Sequence, residues 1–280
     1  MATQLFFGAS TGRTATMHLA NTLNAEAQCV CVHEGKFRHR ETSGEQLIPF
    51  LTLENRIAYE YPERAADIIA SKRAELDRIE IGTASHFGDI AYNYCPFLRP
   101  LAQMFPEARF IVIFRDGISF LRSATQLSGE DEVPVGWPPD EKPLTDLERY
   151  ISLGRLQPRR DSPEAREWES WGAFEKNTWL WAETNRVVLD AVNAIGPQRV
   201  HMVRFEEFVA SPLDVYGAIR EFLGFTGEMS EEAQSVLLSR KVNARKEYWL
   251  PGYGDWTPEQ KEFFRSTAGP VMQTLGYDYE

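Results

Sequence analysis

Two short stretches carry residue types that can hold an anion. The first reads Gly8-Ala-Ser-Thr-Gly12-Arg13-Thr14-Ala15-Thr16-Met17 and follows the apolar run Gln4–Gly8. A glycine- and hydroxyl-rich turn that opens a helix presents unpaired backbone N–H groups and the positive end of the helix dipole, a combination suited to phosphate or sulfate. Arg13 adds a planar, forked cation, and Thr14 and Thr16 add hydroxyl donors. The second stretch reads Phe110-Ile-Val-Ile-Phe-Arg115-Asp-Gly117, with Ser123 eight residues beyond the arginine. An arginine released at the carboxyl end of a buried strand stands at the edge where open α/β sheets bind ligands. Ser123, two turns into the next helix, is placed to meet the same anion.

Two further residues are candidates for moving a proton. Glu34 lies in Val32-His33-Glu34-Gly35-Lys36 and His86 in Thr83-Ala-Ser-His86-Phe, each after a candidate strand. Both are therefore expected at the ligand edge. A histidine titrates near neutrality, whereas Glu34 needs a raised pKa or tight geometry. Ordinary readings stand beside these, a strand-end histidine bonded to backbone and a surface carboxylate. The sequence ranks Glu34 and His86 equally, with His33 behind them. The histidines His18 and His201 read as structural and His39 as a surface residue.

The elements that must position these groups follow from the hydrophobic pattern. Candidate strands are Gln4–Gly8, Gln28–His33, Arg78–Thr83, Arg109–Phe114 and Arg199–Arg204. The fourth is apolar without alternation, as a strand buried on both faces should be. Helical periodicity is seen near Thr14–Asn24, Glu63–Asp77, Tyr94–Met104, Ile118–Leu127 and Trp168–Ala194. This alternation predicts one α/β domain over residues 1–280, with a mostly parallel five-stranded central sheet flanked by helices. The acidic, Pro-rich stretch at about 128–164 breaks the rhythm and reads as an insertion, either a substrate lid or a solvated loop. Further on, Ser211-Pro212 starts a helix that Gly224 ends, and Thr257-Pro-Glu-Gln260 forms a capping box. Trp171, Trp179 and Trp181 read as core.

Compared with the nucleotide-binding loop G-x-x-x-x-G-K-[ST], the first turn is one residue short and has Arg13 in place of the lysine. What Phe6–Leu19 and Phe110–Ser123 resemble instead are the two cofactor signatures of the sulfotransferase family. The resemblance extends to Val203-Arg-Phe205-Glu-Glu-Phe208, to Asn243, Arg245 and Lys246, to Trp256-Thr-Pro-Glu-Gln260 and to the terminal Leu-Gly-Tyr277. It implies a P-loop-like fold and 3′-phosphoadenosine 5′-phosphosulfate (PAPS) as sulfuryl donor, with 3′,5′-phosphoadenosine (PAP) as product. By the same resemblance Gly12 and Arg13 to Met17 hold the 5′-phosphosulfate, Arg13 stabilising charge at the transferring group. Arg115 and Ser123 hold the 3′-phosphate; Phe205 is a candidate to stack on adenine or else a core residue, and Arg245 and Lys246 either close over the 3′-phosphate or form a solvated basic turn. Two residues depart from the family pattern. Ala15 replaces a glycine, which is tolerable only with a negative φ, and Met17 replaces a hydroxyl.

Composition narrows the partners. There are 30 Lys and Arg against 41 Asp and Glu, a net charge of −11, which argues against nucleic-acid binding. The longest wholly apolar stretches, such as Phe110–Phe114, fall far short of the roughly 20 residues of a membrane span. No basic region followed by an apolar one opens the chain, so no secretory signal is expected. Three cysteines, Cys29, Cys31 and Cys95, form no disulfide framework, and no second Cys or His pair stands at zinc-ligand spacing. The expectation is a cytoplasmic enzyme without a metal, acting on a hydroxyl or amine of a small organic acceptor. The other readings are a P-loop kinase-like phosphotransferase and a non-catalytic nucleotide-binding relative.

Overall fold

The computed structural model describes residues 3–33, 54–76, 84–125, 136–137, 155–239 and 248–279. The predicted strand Arg78–Thr83, Glu34, His39, Asn243, Arg245, Lys246 and most of the 128–164 insertion lie outside the described residues. Five parallel strands form the sheet: β1 (Gln4–Ser10), β2 (Cys29–His33), β3 (His86–Ile90), β4 (Arg109–Phe114) and β5 (Val200–Arg204). Their order is β2-β3-β1-β4-β5, so β1 lies in the middle, with Phe7 opposite Phe110 on one side and Asp89 on the other.

Side chains of a strand alternate between faces, and β1 and β4 divide their apolar residues accordingly. Phe7, Ala9, Phe110, Val112 and Phe114 belong to one core with Tyr94, Phe97, Leu98, Leu101, Trp179 and Val188. Phe6, Ile111 and Ile113 belong to a second core on the other face with Leu19, Leu23, Tyr216, Ile219 and Leu223. A helix follows each of several strands: α1 (Thr16–Asn24), α2 (Glu54–Glu60), α3 (Ala65–Leu76), α4 (Leu98–Met104), α5 (Gly117–Ala124), α6 (Pro163–Glu167) and α7 (Ala173–Ile195). After β5 come α8 (Phe205–Ala210), α9 (Pro212–Leu223), α10 (Glu231–Leu238) and α11 (Pro258–Leu275). A third core unites α5, α7 and α11 through Phe120, Trp181, Phe264 and Met272.

Several boundaries differ from expectation for local reasons. The first helix starts at Thr16 rather than Thr14, because Ala15 is left-handed. The predicted helix Tyr94–Met104 opens as a 3₁₀ turn, Tyr92–Phe97, where Pro96 has no N–H to give. Helices α2, α6, α8 and α10 were not anticipated. The expected stops are present: Gly224 ends α9 with φ 82°, and Thr257 and Gln260 form the capping box of α11.

The third strand of the sheet is His86–Ile90, which corrects the placing of His86 after a strand. His-Phe-Gly-Asp-Ile lacks the β-branched run that marks a strand, and tertiary packing overrides its weak propensity. Gly88 is required there, since a Cβ would lie 2.1 Å from the Phe6 ring. Asp89 is fully enclosed and accepts the Tyr94 hydroxyl proton at 2.7 Å.

Candidate active site

Because all five strands run parallel, the segments leaving their carboxyl ends gather along one edge. The turn after β1 is built from unusual backbone. Gly12 has φ 79°, Arg13 55° and Ala15 60°. Such left-handed residues turn successive N–H groups toward one concave side, which is how backbone nests receive anions. Ala15 therefore does not keep the negative φ that its side chain prefers. The Ser10 hydroxyl steadies the turn by accepting the Gly12 N–H at 2.9 Å. Thr14 is fully buried and its hydroxyl has no partner, an arrangement that costs about 1–3 kcal/mol unless something else bonds it.

The turn after β4 interlocks with it. Arg13 Nε donates to Ser123 Oγ at 2.9 Å, and Arg115 Nη1 donates to the Arg13 carbonyl at 2.6 Å. The Arg115 guanidinium lies 4.5 Å over the Phe205 ring, while its Nε is buried without a partner. Burial pushes the Arg115 pKa below that of an ordinary arginine, and the Glu206 carboxylate partly restores it. Thus Gly12, Arg13, Thr14, Ala15, Thr16, Arg115, Ser123 and Phe205 come together. The Phe205 ring is in contact with Arg115, an aromatic–cation platform rather than a bare ring. Met17, the residue in place of a hydroxyl, turns outward and is 48% exposed.

Second-layer contacts fix these groups, and sequence reasoning passed over most of them. Trp181, read as core and indeed fully buried, donates its indole N–H to the Arg115 carbonyl at 3.0 Å. Asp116 caps α5 by accepting the Ile118 and Ser119 N–H groups. Its own N–H donates to Glu206 Oε1, and Glu206 Oε2 accepts the Tyr277 hydroxyl proton, both at 3.0 Å. Arg204 stacks on Tyr277 and donates to the Gly276 carbonyl. The forewarning of this chain was the family resemblance of Val203–Phe208 and of the terminal Leu-Gly-Tyr277.

The base candidates separate. His86 sits at the amino end of β3, in register with Gln4 and Cys29, at the opposite edge of the sheet from the anion turn. There its Nε2 bonds the Leu223 carbonyl at 3.1 Å and its ring stacks on Phe225, while burial lowers its pKa. These are the contacts of a strand-end histidine bonded to backbone. His33, ranked last, stands at the carboxyl end of β2 with Nε2 3.0 Å from Thr16 Oγ1. Of the other histidines, His18 bonds the Leu237 carbonyl and His201 stacks on Phe222, both structural.

Beside the turn lies a small cavity of about 10 Å³, enough for one water, bordered by Thr11, Asn55, Tyr92, Arg155 and Thr184 among others. Arg155 and Trp137, from the insertion, pack together with the guanidinium 5.2 Å over the indole. Asn177 holds Trp137 by both its backbone N–H and its carbonyl, so that this tryptophan is packed rather than exposed. Among the described residues no group of His, Cys, Asp or Glu is arranged to hold a metal ion, and no helix is long and apolar enough to cross a membrane.

Comparison with known proteins agrees with this geometry. A model of the sulfotransferase family matches residues 6–228. No curated protein sequence matches the chain. Among solved structures, sulfotransferase STF9 from Mycobacterium avium is similar with a TM-score of 0.61 at 13% identity, over 100% of this chain and 79% of that one. Sulfotransferase STF1 from Mycobacterium tuberculosis H37Rv gives 0.53 at 15% identity, covering 95% and 77%. A sulfotransferase from Alicyclobacillus acidocaldarius gives 0.50 at 14% identity, covering 99% and 98%. At these identities the structures speak to the fold alone, but the family model spans most of the chain and includes the turns after β1 and β4. The chain belongs to the sulfotransferase family.

Proposed function

We propose that this sulfotransferase takes its sulfuryl group from PAPS and passes it to a hydroxyl or amine of a small organic acceptor. The observation that carries the donor assignment is the interlocked pair of turns, in which Arg13, Ser123 and Arg115 converge and two buried donors, Thr14 Oγ1 and Arg115 Nε, have no partner. Donors kept buried and unpaired are costly and fit a ligand with more than one anionic group. When bound, the nucleotide supplies a sulfuryl group already attached to a phosphate leaving group. Gly12 to Thr16 would hold its 5′ end through backbone N–H groups and the start of α1. Arg115 and Ser123 would hold the 3′-phosphate, with Arg245 and Lys246 closing over it. The Arg115–Phe205 platform would set the plane of the purine.

For sulfuryl transfer the chain must also offset charge on the leaving oxygen and take a proton from the acceptor. Arg13, tied to Ser123, is the cation assigned to the first task. Glu34, which follows β2 directly, is the proposed base, now that His86 stands at the other edge. The three free, buried cysteines fit a reducing compartment, and we place the enzyme in the cytoplasm.

The test is a thermal-shift titration with PAP, run beside ATP and GTP with Mg²⁺. A ligand at about 100 times its Kd adds roughly 2.7 kcal/mol of stability. A shift with PAP and no metal supports the donor assignment. A shift with ATP–Mg²⁺ alone, or with none of the three, overturns it. Turnover of PAPS with a panel of hydroxyl and amine acceptors then identifies the acceptor, and Glu34→Gln should abolish turnover while leaving PAP binding intact.

A further inference from the structure

The contact between β2 and the anion turn has a consequence for the chemistry. Thr16 is the first residue of α1 and is 8% exposed, and its hydroxyl meets His33 Nε2 at 3.0 Å. A hydroxyl has one proton to give and two lone pairs to receive with. If Thr16 gave its proton to His33, it would present only lone pairs to the turn, and an anion would be repelled. If His33 Nε2–H donates instead, the Thr16 lone pair is occupied and its single proton is directed away from the imidazole, into the turn. The surroundings favour the second polarity. Arg13 and the first-turn N–H groups of α1 make the turn a place for negative charge, where every neighbouring group serves best as a donor.

We propose that His33 is a positioning residue: it donates Nε2–H to Thr16 Oγ1 and so turns the Thr16 proton toward the 5′-phosphate end of the bound nucleotide. The juxtaposition joins the ends of β2 and β1, two strands that are not neighbours in the sheet. This inference rests on the donor reading above. It adds a role for a residue that does not itself touch the ligand and acts only through the threonine hydroxyl.

The experiment is a calorimetric titration of wild type, His33→Ala, His33→Gln, Thr16→Val and the double variant His33→Ala/Thr16→Val with two ligands. One is PAP; the other is adenosine 3′-phosphate, which lacks the 5′ group. His33→Ala should weaken PAP binding roughly tenfold or more, as expected for one hydrogen bond to a charged group. It should leave adenosine 3′-phosphate unaffected. The double variant should bind PAP no more weakly than Thr16→Val alone, since His33 has nothing to act through once the hydroxyl is gone. His33→Gln, whose amide N–H can replace the imidazole donor, should recover most of the affinity. Equal losses for both ligands, losses that multiply in the double variant, or unchanged PAP binding in His33→Ala each overturn the role. Wild-type protein that fails to bind PAP at all overturns the donor reading and this inference with it, which separates the two failures.

Discussion

Ala15 holds φ 60° and ψ 25° at the point where the anion turn becomes a helix. For a residue with a Cβ that conformation costs about 1–2 kcal/mol, and the turn retains it because the N–H groups on either side must face inward. Ala15→Gly removes the strain, at the expense of a more flexible unfolded chain. A net gain of roughly 0.5–1 kcal/mol should follow, read as a rise of about 1–2 °C in the thermal midpoint. Arg115 behaves oppositely, since its worth lies in shape as well as charge. Arg115→Lys keeps the cation but gives up the flat contact with Phe205 and the fixed bond to the Arg13 carbonyl. Its PAP affinity should fall tenfold or more by calorimetry. Arg13, Thr14, Arg115 and Ser123 were legible in the sequence because each belongs to a local turn or a fixed helical spacing. The φ of Ala15 was not, because it is set by what the whole turn must present.

At the level of elements, β3 explains why one base candidate stands away from the turn after β1. His86 was expected after a strand but opens one, which reverses the end of the sheet on which the residue falls. Parallel topology makes that error absolute, since all functional segments leave from one edge. The relocated histidine carries a pH signature of its own. Burial lowers the pKa of both His86 and His201 below 6.5, so the unfolded chain binds more protons as pH falls through that value. The stability these residues contribute is complete above about pH 7 and is lost on acidification toward their folded pKa. Urea midpoints should therefore drop from pH 7.5 to 5.5, and His86→Gln should flatten part of that drop. The clamp from Asp116 through Glu206 to Tyr277 is a second element-scale device, tying the end of α11 to the turn beneath Arg115. Removing the hydroxyl in Tyr277→Phe should cost about 1 kcal/mol in urea unfolding and weaken PAP binding several-fold. Only a sheet already assembled shows why residues so distant in sequence share this duty.

For the molecule as a whole, the fold class was readable because short apolar runs, densest at β4, alternate with amphipathic helices. What composition concealed is the local charge: a chain with a net charge of −11 sets Arg13 and Arg115 against each other where β1 and β4 end. The two cores on the sheet faces meet along β1 and β4, whose residues Phe6, Phe7, Phe110 and Ile111 are at most 1% exposed. Amides of these two strands should exchange with deuterium only through global unfolding, whereas those of α10 should exchange through smaller openings. The central place of β1 also bears on how the protein is made. Strand β1 leaves the ribosome before its partners β3 and β4, and Phe7 must wait for Phe110, roughly a hundred residues later. At about 5–20 residues per second that interval is on the order of 5–20 s. For most of it the nascent chain carries an apolar strand with neither neighbour yet made, a natural load for the chaperones that attend translation.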